Sequence, residues 1–243
     1  MSVLKCKSVS HLLDELNLLQ SEKLSMNWYF RGQGDATWGL KPSLFRQDLV
    51  DEKLFEKDVI DSLRNNLKHY STISDRLLND DDYLLSLAQH YGTPTRMLDW
   101  TVSPLIAAYF AASSALKIPK SEALSVFCIA GIVNIGQHSN ELKFVYPLAG
   151  ANENLFAQRG IFLKHDWECR DFWKCDYEEE VSSAVKSVNA SIDSRIIRVE
   201  LSNRLTKELI IELEKRGING SFCFPDMYGC VKEAADEAWG NQR

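Results

Sequence analysis

The chain has 243 residues, 45% of them hydrophobic, and its 28 basic against 34 acidic residues leave a formal net charge of −6. That length and apolar content suffice for one large core, and the sequence reads as a single domain over residues 1–243. The acidic balance excludes a whole-molecule field that draws nucleic acid or an anionic surface, while the longest apolar stretch, Leu105 to Ala112, falls short of the ~20 residues of a membrane span.

Ser10 followed by Leu12, Leu13, Leu16 and Leu19 predicts a capped helix with one apolar stripe, and Trp28 to Arg31 a short aromatic strand. Phe55, Val59, Leu63 and Leu67 recur at the spacing of a helix face, and a second helix follows Asp80-Asp81-Asp82, with Tyr83, Leu84, Leu87 and Ala88 inward. The three carboxylates sit where a helix dipole favours them, so capping accounts for them. Gly92-Thr93-Pro94 ends that helix, and Arg96 to Trp100 leaves the turn as a strand. Ser103 at a cap and Pro104 in the first turn start a helix whose small residues let it lie close to a sheet. Leu124 to Val133, Ile161 to Leu163 and Arg195 to Leu201 read as strands sharing that sheet. Leu205, Leu209 and Leu213 mark a helix that Gly217 can end in a left-handed cap, and Tyr228 to Trp239 a further short one. Segments 134–155 and 164–192 lack periodicity and are expected as loops or lids. Together these elements give an α+β class, with a small mixed or antiparallel sheet flanked by helices.

Two places concentrate chemistry. Arg31 ends the aromatic strand against Gly32 and Gly34, which can admit a ligand, and its rigid fork of donors suits a phosphate or carboxylate. The competing role is an ion pair with Asp35 or Asp99 that only holds the fold. The second place is the run from Gln89 to Ser103, which gathers His90, Tyr91, Thr95, Arg96, Asp99 and Trp100 around one turn and one strand. Buried polar groups need partners, so these either form a structural network, Asp99 pairing with Arg96 or Arg31 and His90 capping its helix, or build the second wall of a ligand cleft. The six cysteines include no Cys-x-x-Cys pair and are expected as reduced thiols; Cys169 and Cys175 near His165 miss the usual spacing of zinc ligands, so no metal is expected. The N-terminus lacks a secretory apolar region, and the expected location is cytoplasmic with no membrane partner.

The Phe-Arg-Gly at 30–32, the run His90 to Thr101 with Ser103-Pro104-Leu105 and Tyr109-Phe110-Ala111, Gln158 and Gly160 before Ile161-Phe162, and Phe224-Pro225-Asp226 together resemble the FRG domain family of prokaryotes over about residues 27–230. The same order of motifs is similar to the ADP-ribosyltransferase superfamily: an aromatic-Arg-Gly strand, a Ser/Thr strand leading into a small-residue helix, then a strand preceded by Glu or Gln. That similarity implies an ADP-ribosyltransferase-like cleft with NAD as substrate. Arg31, Gly32 and Gln33 would hold phosphate or ribose, Thr95, Arg96, Asp99 and Ser103 would shape the cleft, and Tyr91 and Trp100 would face nicotinamide or adenine. Where the superfamily carries its catalytic glutamate, this chain has Ala157-Gln158-Arg159-Gly160.

Breaking the nicotinamide–ribose bond passes through an oxocarbenium-like state that a carboxylate stabilises, whereas a glutamine can orient but not neutralise. Gln158 is therefore expected to position the acceptor, with Asp226 or Glu153 supplying the charge, and Asp226 has a competing role as a helix cap. The resemblance implies transfer of ADP-ribose from NAD to a macromolecule, protein or nucleic acid, by an effector of a toxin–antitoxin or anti-phage system, with an antitoxin or chaperone as partner. Two other readings stay open at this point: a non-catalytic nucleotide or nucleic-acid sensing module, and a nuclease-like hydrolase using His90 and Asp99.

Overall fold

The computed structural model describes residues 1–21, 28–70, 73–130, 142–146, 153–165 and 196–242. Strands β1 (Ser2–Cys6), β2 (Trp28–Gln33), β3 (Met97–Thr101), β4 (Ala123–Ala130), β5 (Leu142–Val145), β6 (Gly160–His165) and β7 (Ile196–Ser202) form one sheet in the order β1-β7-β4-β2-β3-β6-β5. Only β1 and β7 run parallel; the other neighbours are antiparallel, so the sheet is mixed and the class is α+β. The helices of the described residues are α1 (Val9–Ser21), α2 (Glu52–Leu67), α3 (Asp75–Leu78), α4 (Asp81–His90), α5 (Pro104–Ala115), α6 (Glu153–Ala157), α7 (Thr206–Glu214), α8 (Gly220–Cys223) and α9 (Met227–Gly240). None is long and apolar enough to cross a membrane.

Side-chain alternation along paired strands sorts the core. On the front face, Phe30, Val126, Cys128 and Val199 pack beneath Leu12 and Leu16 of α1, Ala108 and Ala112 of α5, and Leu209 and Leu213 of α7. Farther along the same face, Met97 and Phe162 pack with Ile60 of α2, Leu84 and Leu85 of α4 and Leu155 of α6. The front face thus carries two separate apolar clusters. The back face carries one continuous layer, in which Tyr29, Phe127 and Ile129 meet Leu98, Trp100, Ile161 and Leu163 under Leu40.

The two front clusters meet where the sheet is weakest. Strands β2 and β3 share a single ladder pair, Phe30 with Thr101, and beyond it Arg31 to Gln33 remain paired with β4 alone and Met97 to Trp100 with β6 alone. Helix α5 presses on β2 at this point. A Cβ on Gly32 would lie 1.9 Å from the Ala107 carbonyl oxygen and 2.6 Å from the Ala111 nitrogen, and one on Gly34 2.6 Å from the Ala115 nitrogen. The space these glycines leave, expected to admit a ligand, is largely taken by α5. Ser103 accepts from the Ile106 N–H with Pro104 in the first turn, so the helix starts as the sequence indicates.

Several boundaries differ from expectation. Ser8, not Ser10, caps α1: its Oγ accepts from His11 N at 3.1 Å, while Ser10 lies inside the helix and donates to Asp14 Oδ2 at 3.2 Å. Strand β1 had no sequence signal strong enough to read; its exposed residues are held by pairing on β7. Within the stretches expected as loops, residues 142–145 form an edge strand followed by the exposed Tyr146, 153–157 a helix and 164–165 the end of β6; the remaining residues of those stretches lie outside the described ones. Residues 131–133 and Arg195, expected in strands, lie outside them too. Helix α9 is a 14-residue element, not a short one. It is anchored by a buried cluster: Tyr109 Oη donates to Asp236 Oδ2 at 2.8 Å, Ser113 Oγ to Oδ1 at 2.9 Å, and Lys232 Nζ lies 3.2 Å from Oδ2. Gly217, at φ 74°, ends α7 by the left-handed cap.

Because the Gly32 contact is backbone against backbone, no rotamer can relieve a side chain there. Gly32→Ala is expected to lose about 3 kcal/mol or more in denaturant melts, whereas Gly160→Ala, whose Cβ would come no nearer than 3.3 Å to the Leu155 side chain and 3.5 Å to its backbone oxygen, should lose clearly less.

Candidate functional site

The parting of β2 from β3 opens a cleft of about 300 Å³ on the front face, between the α5 side and the α4–α6 side. Arg31, Gly32, Asp99 and Gln158, all expected at a site, line it; Trp100 borders it as well, but its ring is buried in the back layer, so it does not offer the expected face to a nicotinamide or adenine. Arg31 bridges the split. Its Nη1 donates to the Asp99 backbone oxygen at 2.8 Å and lies 3.5 Å from Asp99 Oδ2, so a guanidinium occupies the position of the absent ladder partner. Its Nε is buried and has no partner. Burial lowers the Arg31 pKa, Asp99 raises it, and Arg46 lowers it again; a guanidinium stays charged through such shifts.

Asp99 is the end of a relay. Thr95 Oγ1 donates to Gln89 Oε1, Gln89 Nε2 donates to Asp99 Oδ1, and Asp99 Oδ2 faces Arg31. The pairing of Asp99 is with Arg31 and not with Arg96. Arg96 is turned instead to Glu56 on α2, Nε to Oε1 at 2.8 Å, both side chains buried. Thr95 is fully buried and tied to Ser43, Ser103 is the α5 cap, and Tyr91 is 78% exposed with its ring edge-on to His90. These four residues shape the walls from behind or lie outside the cleft. Gln33 is buried, donates to the Gly39 oxygen at 3.2 Å, and lines a second cavity that shares Arg31 and Gly32 with the cleft.

The expected catalytic residues separate. Gln158 lines the cleft, with its Nε2 on the Cys223 oxygen at 3.1 Å and its own backbone oxygen accepting from Thr101 Oγ1 at 2.7 Å. Glu153 is exposed at the start of α6 and is not among the lining residues. Asp226 caps α9, accepting from Gly229 N at 3.1 Å, and likewise does not line the cleft. It connects indirectly: Asn154 Nδ2 donates to Asp226 Oδ2 at 3.1 Å and lies 3.2 Å from His90 Nε2. Among the described lining residues, Asp99 is the one carboxylate.

Sequence reasoning missed Gln89, Asn154, Phe110, Leu155 and Phe224 as site residues. Phe110 and Phe224 meet edge to face at 6.0 Å and form an apolar wall. Both stand in motifs already singled out, but nothing in the spacing shows that α5 and the α8 turn converge there. Cys6, Cys128, Cys223 and Cys230 are free thiols, as expected; the cluster of Cys169 and Cys175 with His165 lies outside the residues whose side chains are described.

Asn154 Nδ2 can only donate, so His90 Nε2 accepts and the ring proton sits on Nδ1. Burial holds the His90 pKa below its ordinary 6.5 against the pull of Asp226 and Asp99. The unfolded chain therefore binds a proton on His90 that the folded one resists, and stability falls as pH drops below about 6.5. In thermal melts across that window, His90→Gln should flatten this part of the profile relative to wild type; an unchanged slope would show that other groups carry it.

No curated protein and no solved structure matches the chain. A family model does match, covering Trp28 to Gln33, the Gln89 to Ser103 run and all of α5, and stopping before Gln158 and Asp226. By that match the chain carries an FRG domain at residues 26–119.

Proposed function

We propose that the cleft binds NAD and that the protein transfers its ADP-ribose to a macromolecule, as the effector of a toxin–antitoxin or anti-phage system. The observation that carries this reading is Arg31: a mostly buried guanidinium at the wall of a part-aromatic cleft, with its Nε unshared. Its fork can bridge phosphate oxygens, and the apolar wall of Phe110, Phe224 and Leu155 suits a ring at the other end of the ligand.

In the proposed reaction the bond between nicotinamide and ribose breaks, its electron pair leaves with nicotinamide, and an acceptor nucleophile bonds to the ribose carbon and gives up its proton. Asp99, the carboxylate of the cleft, takes the charge-stabilising role first assigned to Glu153 or Asp226, and the Gln158 amide positions the acceptor. A hydrolase working through His90 and Asp99 has less support, because His90 Nε2 is already engaged by Asn154.

Incubation with labelled NAD and cell extract is expected to place label on protein or nucleic acid. Calorimetry should show Arg31→Lys losing most NAD affinity while melting normally, since a lysine presents a point charge at a different reach. Asp99→Asn should keep affinity and lose turnover by about 100-fold or more. Binding without label or released nicotinamide would make the cleft a sensing site, and no binding by the wild type would end the NAD reading.

A further inference from the structure

A second cavity of about 470 Å³, sharing Arg31 and Gly32 with the cleft, is formed where β2 runs into the loop before residues 44–46. Its lining includes three cations, Arg31, Lys41 and Arg46, and no carboxylate. Among the described residues the side chains of Lys41 and Arg46 form no ion pair, in a protein of net charge −6. Arg31 is half committed to Asp99 on the cleft side, so Lys41 and Arg46 are the uncompensated charges. Asp35 in the same loop is occupied, accepting from Thr37 N at 2.8 Å and Thr37 Oγ1 at 2.7 Å. Gln33, 6% exposed, lines the cavity with its Oε1 buried and unpartnered, an acceptor left for a ligand's donor.

One more feature selects among anions. Trp38 belongs to the same lining and is 41% exposed, an indole face beside the two exposed cations. Aromatic faces next to cations are how proteins hold an unpaired base and its phosphate. We propose that this cavity is a binding site for a phosphate-terminated nucleotide at the end of a single-stranded nucleic acid, with the terminal phosphate between Lys41 and Arg46 and the base on Trp38. The cavity shares Arg31 and Gly32 with the cleft proposed for NAD, while Lys41, Arg46 and Trp38 line this cavity alone; if both readings hold, it names nucleic acid as the acceptor.

The test uses the full chain and fluorescence anisotropy with a short labelled oligothymidylate, with and without a terminal phosphate. The phosphorylated form should bind roughly tenfold more tightly or better, as charged hydrogen bonds to a phosphate warrant. Lys41→Glu and Arg46→Glu, both at exposed positions, should erase that difference without lowering the melting temperature. Trp38→Ala should weaken the oligonucleotide and thymidine monophosphate about tenfold and leave competition by inorganic phosphate unchanged. Equal affinity for the two oligonucleotides would overturn the proposal, and so would binding that survives both charge reversals. Inorganic phosphate competing as well as thymidine monophosphate would overturn the nucleotide assignment. NAD affinity should be unaltered in the Lys41→Glu, Arg46→Glu double variant; its loss there would assign the cavity to the dinucleotide and overturn the second site, whereas failure of the NAD reading is seen separately in the wild type.

Discussion

Helix α5 lies against β2 with no side chain between the two backbones, and most of the molecule is arranged around that contact. Gly32 and Gly34 make it possible on the strand, and the alanines from Ala107 to Ala115 make it possible on the helix. Held so close, the helix places Ala107 and Phe110 over the seam between β2 and β3 and offers Tyr109 and Ser113 to Asp236 on α9. The glycine of the Phe-Arg-Gly motif therefore serves packing first. The arginine beside it serves the seam, where its donors replace hydrogen bonds that an unbroken ladder would have supplied.

The fold class and most element positions were legible from local pattern. The α5 start could be read because Ser103 and Pro104 act through bonds made within one turn, and Asp80 caps α4 for the same reason. The pattern failed where stability comes from a distant partner. Strand β1 alternates too weakly to announce itself and exists by pairing with β7, nearly two hundred residues away along the chain. The cap of α1 was misplaced by two residues because Ser8 and Ser10 are chemically identical, and only the geometry of the first turn distinguishes them.

At the site, sequence reasoning brought Arg31, Asp99 and Gln158 to one cleft by motif order alone, while Trp100 turned its ring to the back layer. It could not assign partners. Arg96 and Arg31 were equal candidates for Asp99 until Glu56, a buried glutamate on a helix otherwise read as amphipathic, turned out to engage Arg96. Placing the carboxylates was beyond it for the same reason: Asp226 and Glu153 stand beside the right motifs and do not line the cleft, because lining a cavity depends on how α6, α8 and α9 converge, which no local spacing encodes.

The division of the front face into two apolar clusters, set against one continuous layer behind, has a mechanical consequence. Strands β2 and β3 are joined by a single residue pair, the fewest of any neighbours in the sheet, so parting them costs the fewest ladder bonds, and the back layer, continuous from Phe127 to Leu163, spans that joint. Widening the seam would stretch the Arg31–Asp99 bridge together with the Gln158–Cys223 and Asn154–Asp226 bonds, and would leave each cluster intact on its own half. The guanidinium would then act as a latch, and an anion that drew it from the Asp99 carbonyl would also loosen the jaw it closes.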